Sequence, residues 1–151
     1  MFMRSLRTCL VFAAVLTLWG CHSGTDPIVA QHADLDRAEA QWLASGIHDY
    51  WYDVGTYSAW FVDSLRVEVR NDTVRSATLL RGNTQVHGFG RTVPELFAAI
   101  RQGMASGSDV RVSYDGVLGY PVHIDIPDPP GVADAEWGAN IGNFLPLAPT
   151  R

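Results

Sequence analysis

The amino-acid sequence predicts an α+β domain, a two-layer structure in which an antiparallel β-sheet carries two amphipathic helices packed on one face. Three observations lead there. Hydrophobic residues make up 47% and charged residues 18% of the 151-residue chain, the composition of a folded protein. Alternation of apolar and polar residues recurs in short segments joined by turn-forming residues, the pattern of an antiparallel sheet wetted on one side. Two further stretches repeat their apolar residues at helical spacing, and such stripes cover a sheet.

The elements follow in order. Residues 1–20 read as a signal peptide outside the fold: Arg4 and Arg7 precede an apolar run from Cys9 to Trp19, and Gly20 comes directly before Cys21. That run is too short to span a bilayer, which takes roughly 20 residues. Leu18-Trp19-Gly20-Cys21 resembles a lipobox, with Trp19 in place of the usual small residue. The expectation is a lipoprotein cut before Cys21, lipidated there (a palmitate-type modification), with residues 21–33 as lipidated cysteine and tether. Cys9 leaves with the signal, so the mature chain has no free thiol and no internal disulfide.

A single domain is expected over residues 34–147. Leu35–Ser45 reads as a helix, with Leu35, Ala38 and Trp42 on one face, Asp34 as cap and Gly46 as stop. Tyr50 to Val62 is an aromatic strand region with Tyr50, Tyr52 and Val54 on one side and Trp51, Asp53 and Gly55 on the other. Leu65 to Arg70 places Leu65, Val67 and Val69 inward. Asn71-Asp72 makes a tight turn, because both residues tolerate positive φ, and Thr73 to Leu80 returns as the partner strand.

Thr92 to Met104 is a second helix. Thr92 and Glu95 have capping-box spacing, Pro94 suits the first turn, and Leu96, Phe97, Ile100 and Met104 form the stripe. Val110 to Tyr114 and Tyr120 to Ile126 form a second hairpin, the latter with Tyr120, Val122, Ile124 and Ile126 on one face. After a proline- and aspartate-rich loop, Glu136 to Leu145 is the last strand.

Five segments together resemble a family of bacterial secreted proteins and lipoproteins known only as a domain of unknown function. They are Ile47-His48-Asp49-Tyr50, Val67 to Asp72, Thr92 to Phe97, Tyr114-Asp115 through Pro121 with Ile124-Asp125, and Asn143-Phe144. The resemblance covers most of the mature chain and implies an envelope location and a small α+β fold, but no activity. Many relatives carry a cysteine pair near positions 58–60. Here Ser58, Ala59 and Trp60 stand instead, so any disulfide or metal role of that pair is absent.

Charge and motifs narrow the function. The formal net charge is -5, and the basic residues Arg4 and Arg7 lie in the signal, so the mature chain is more acidic still. An acidic surface repels phosphate backbones, which argues against nucleic-acid binding. His123, Asp125 and Asp128, or His48, Asp49 and Asp53, make loose clusters short of the three or four converging ligands of a zinc site. Asp125, Asp128 and Asp134 surround a loop without EF-hand spacing. No nucleophile elbow or phosphate loop is completed, and Gly88-Phe89-Gly90 stands alone.

The aromatic excess between Tyr50 and Phe61 is the most suggestive feature, since tyrosine and tryptophan are enriched in binding hot spots. Trp51, Tyr57 and Phe61 are therefore the candidate binding surface. The reading is a non-enzymatic, lipid-anchored envelope module that binds a protein partner. It carries no cofactor beyond the lipid on Cys21 and no metal. In a Gram-negative cell it would sit on the outer membrane facing the periplasm. The alternative is an envelope enzyme or metal-binding protein with an acidic and histidine site.

Overall fold

The computed structural model describes residues 27–148. The expected signal peptide, Cys21 and the first part of the tether lie outside the described residues. Within them, two helices, α1 (Pro27–Ser45) and α2 (Val93–Ala105), accompany seven strands. The strands are β1 (Tyr50–Ser58), β2 (Val62–Arg70), β3 (Thr73–Leu79), β4 (Gln85–Val86), β5 (Arg111–Tyr114), β6 (Pro121–Ile126) and β7 (Trp137–Pro146). They form one sheet in the order β4-β3-β2-β1-β7-β6-β5, with every pairing antiparallel. The fold is thus α+β.

Several boundaries differ from the sequence reading. Helix α1 starts at Pro27, eight residues before the expected Leu35, so the latter part of the supposed tether is helical. Proline suits a first helical turn because it has no N–H to leave unpaired. The aromatic region Tyr50 to Val62 is a strand and a tight turn. Ser58 N donates to Phe61 O at 2.8 Å, which ends β1 and lets β2 begin at Val62. The two-residue β4 has too few residues to show any period.

Alternation places the core. Tyr50, Tyr52 and Val54 of β1 and Leu65, Val67 and Val69 of β2 are buried on the same side, where they join Ile124, Ala139 and Ile141. Leu35, Ala38 and Trp42 of α1 and Val93, Leu96, Phe97 and Ile100 of α2 belong to the same core. Asn71 and Asp72 adopt φ of 50° and 55°, a two-residue turn with the twist that hairpins favour. The preceding segment straps this turn. The buried Asp49 carboxylate accepts from Asn71 N at 3.1 Å, and Asp72 N donates to His48 O at 3.1 Å.

Bulges correct the alternation where it would fail. Trp51 pairs with Leu145 but Asp53 with Gly142, so β7 spends one extra residue opposite β1. Asn143 sits in that bulge at φ 47°. The extra residue reverses the period, and Phe144 turns onto Tyr50 (centroids 5.2 Å) although Trp137, Ala139 and Ile141 set the opposite parity. A second bulge lies in β6: Ser113 pairs with His123 and Tyr114 with Pro121. Pro121, not Val122, therefore takes the buried position expected of Val122.

Helix α2 is docked by its start. Thr92 and Glu95 form the expected capping box, with Glu95 N donating to Thr92 Oγ1 and Thr92 N to Glu95 Oε2. Val93 N donates to the Tyr50 hydroxyl at 2.8 Å, and the Tyr52 hydroxyl donates to Arg91 O. The Tyr114 hydroxyl, by contrast, is buried with no partner among the described residues.

Tyr50 and Tyr114 predict opposite outcomes. Tyr50→Phe leaves a buried N–H unpaired and should lower stability by roughly 1–3 kcal/mol. Tyr114→Phe removes an unpaired polar atom and should leave stability unchanged or slightly raised. Urea unfolding followed by tryptophan fluorescence measures both.

Candidate functional site

The three aromatic residues singled out from sequence do not form one surface. Trp51 and Tyr57 are both on the face of β1 opposite Tyr52 and Val54, but six residues along a strand place them roughly 20 Å apart. Each is engaged. The Arg66 guanidinium lies 4.1 Å from the Trp51 ring centre and grips Asp53 through Nε–Oδ1 (2.8 Å) and Nη2–Oδ2 (2.9 Å). Those bonds, with a third from Asn143, hold the Asp53 carboxyl below its usual range despite the opposing effect of burial.

Tyr57 lies flat across Gly138 and donates to Asp125 Oδ1 at 2.5 Å. A Cβ on Gly138 would come within 2.2 Å of the Tyr57 ring, so only glycine leaves room for it. The bond to Asp125, burial and the nearby charge of Asp125 raise the phenol to about 12.

The loose polar clusters likewise do not converge. His123 Nδ1 pairs with Asn140 Oδ1 (2.8 Å), Asp125 with Tyr57, and Asp128 accepts from Ala135 N. His48 pairs with Asp72 (2.6 Å), Asp49 caps the hairpin turn and Asp53 holds Arg66. Among the described residues no group of three or more His, Cys, Asp or Glu is placed to share a metal.

Phe61 belongs to a different site, a cleft on the buried face of β1 at the end nearest the β1–β2 turn. Its floor is Val54, Leu65, Leu96 and Ala139, with Thr56 and Ser58 toward the mouth. Its walls are Phe61, Phe89, Arg91 and Trp137. The cavity measures about 190 Å³. A cavity of roughly 150 Å³ already admits benzene, so this one accepts a single ring or branched side chain and little more.

The loop before α2 builds the outer wall. Gly90 has φ 86°, and a Cβ there would meet both Val67 methyls at 3.0 Å. Glycine lets the loop lie directly on β2, and the Tyr52 hydroxyl fixes Arg91 O. Phe89 is thereby set against Phe61, with ring centres 4.6 Å apart and planes 33° apart. The Arg91 guanidinium lies 4.8 Å from the Trp137 ring centre. The cleft thus pairs an aromatic interior with an exposed cation at its rim. Sequence reasoning found Phe61 but missed Phe89, Arg91 and Trp137. The glycines flanking Phe89 were the available signal.

Compared with known proteins, residues 34–146 match the model of a family described as a family of unknown function (DUF6174). No curated protein and no solved structure matches the chain.

The Tyr57 contact gives a pH test. The folded phenol titrates above its ordinary value of 10.0, so the bond contributes stability fully below pH 10 and loses it as pH rises toward about 12. Asp125→Asn removes the carboxylate. The phenol step near 12 in ultraviolet absorbance should then move back toward 10, while Tyr57→Phe should remove that one step and leave the later titration of the buried tyrosines in place.

Proposed function

The chain belongs to the DUF6174 family of unknown function, and from that premise we propose that it is an envelope lipoprotein acting as a small binding module through the Phe61–Phe89–Trp137 cleft. In this reading residues 1–20 are a signal peptide, Cys21 carries the lipid, and residues 34–147 form one two-layer domain with both helices on the face of the sheet that bears Tyr50 and Tyr52. The single core shared by both helices and that face supports the two-layer arrangement. The lipid on Cys21 is the only group added, and the binding needs no metal. In a Gram-negative cell the site is the outer membrane, facing the periplasm.

The cleft is the observation that carries the binding role. Its aromatic lining offers a large contact area at low entropic cost, because aromatic side chains rotate about only two bonds. Its volume matches one apolar side chain of a protein partner. Arg91 at the rim adds an attraction for a carboxylate beside that side chain, strengthened where the contact excludes water. Trp51 and Tyr57, spent on Arg66 and Asp125, are left as structural residues of the opposite face.

Two measurements test this. Fatty-acid labelling in a bacterial host should mark the chain, and Cys21→Ala should remove the mark. A photo-crosslinking residue at Phe89 should trap one envelope protein reproducibly, while the same residue at Trp51 should not. Ala139→Leu fills the cleft from its floor and should reduce trapping several-fold without unfolding the domain. Equal trapping at Phe89 and Trp51, or no effect of Ala139→Leu, would exclude the cleft as the site.

A further inference from the structure

The register lines up one end of the sheet. Arg111 pairs with Asp125, Asp125 with Gly138, Gly138 with Tyr57 and Tyr57 with Val62. This row crosses β5, β6, β7, β1 and β2 at the same level, so its two ends are four strand spacings apart, about 19 Å. At the β5 end, Gln31 of α1 donates to Val110 O. The start of α1 therefore lies at the same end of the sheet as the β1–β2 turn.

That turn is unusually apolar for its exposure. Trp60 is 84% and Val62 78% exposed. Leu80 and Val132, in the β3–β4 and β6–β7 loops at this end, are about half exposed. Pro27 follows Cys21 by six residues, which reach about 20 Å at full extension. A lipid on Cys21 therefore keeps this end of the sheet, and not the opposite one, close to the bilayer.

We propose that Trp60 and Val62 of this turn enter the lipid surface and orient the domain on it as a second contact beside the anchor, while Phe61 between them stays packed against the core. This inference rests on lipidation at Cys21. Tryptophan favours the membrane interface because its body is apolar and its ring N–H still finds a hydrogen-bond partner there. The residues around the turn are acidic on balance: Asp63, Asp109, Asp128, Asp134 and Glu136 outnumber Arg81, Arg91 and Arg111. The turn thus suits a zwitterionic surface, and anionic lipid repels it at low salt.

The test uses the full chain, made and processed in a bacterial host and reconstituted into phosphatidylcholine vesicles carrying a bromine-tailed quencher lipid. A fluorescent label goes on Val62→Cys in one protein and on Val117→Cys in another. Val117 is 80% exposed but lies in the β5–β6 loop at the far end. The label at 62 should be quenched and the label at 117 should not. Trp60→Ala should bring quenching at 62 down toward the level at 117, and anionic lipid should lower it at low salt. Vesicle-bound, acylated protein with equal quenching at the two positions would overturn the orientation while leaving the lipoprotein reading intact. Protein with no acyl group on Cys21 would sink both.

Discussion

The fold depends most on how two tyrosines of one strand hold the start of one helix. β1 is the middle strand of the sheet, paired on both sides. Tyr50 and Tyr52 rise from its buried face, two residues apart, and their hydroxyls meet consecutive parts of the chain entering α2: Tyr50 accepts from Val93 N, and Tyr52 donates to Arg91 O. Each ring is a rigid spacer of fixed length, so the pair sets both the gap between sheet and helix and the direction from which the helix arrives. Burial raises both phenols above the ordinary tyrosine value, so Tyr52 keeps the proton it donates into alkaline solution. Trp42 from α1 and Phe144 from β7 then close on Tyr50, with centroids at 5.4 and 5.2 Å. The same ring thus gathers both helices and the neighbouring strand.

That cluster would be incomplete without irregular backbone. A strand of unbroken alternation cannot place Trp137, Ala139, Ile141 and Phe144 on one face, because three residues separate the last two. The bulge at Asn143 reverses the period between them, and its side chain is used as well, donating to Asp53 on the opposite face. The bulge that removes Arg75 from the pairing does the same for β3, where Val74 packs against the core and Ala77 is buried beside Val67 and Gly90. Bulges here decide which aromatic residues meet.

These particulars explain what the sequence made legible. Tyr50, Tyr52 and Val54, the Leu65–Val69 alternation, the Asn71-Asp72 turn and the Thr92–Glu95 cap are local signals, carried by neighbouring residues, and each lies where expected. The early start of α1 carried no comparable stripe. The pairing of β1 with β7 joins residues far apart in the chain, and Trp137 reaches the cleft only through it. Phe61 looked like one of a surface group with Trp51 and Tyr57 because all three lie in one aromatic run. Unbroken alternation through that run would put the three odd-numbered residues on one face, and the turn after Ser58 interrupts it. A site assembled from the β1–β2 turn, the α2 approach loop and the start of β7 leaves no contiguous trace.

The cleft follows from unequal lengths and a diagonal path. Nine-residue strands such as β1 and β2 run about 30 Å, whereas a thirteen-residue helix such as α2 covers about 20 Å. Helix α2 begins above Tyr50 and Tyr52 but ends with Gly103 against Ile126 of β6 and Val110. It therefore leaves the β1–β2 corner near Ser58 and Val62 without helical cover. The alternation of those strands still sends Val54 and Leu65 to that side, and apolar surface left open to water is costly. Phe61 and Phe89 fold over it, but two rings set 4.6 Å apart and tilted by 33° roof the corner without filling it. The space beneath them is the cavity, so the contacts that dock α2 also determine that a cleft exists and where it opens.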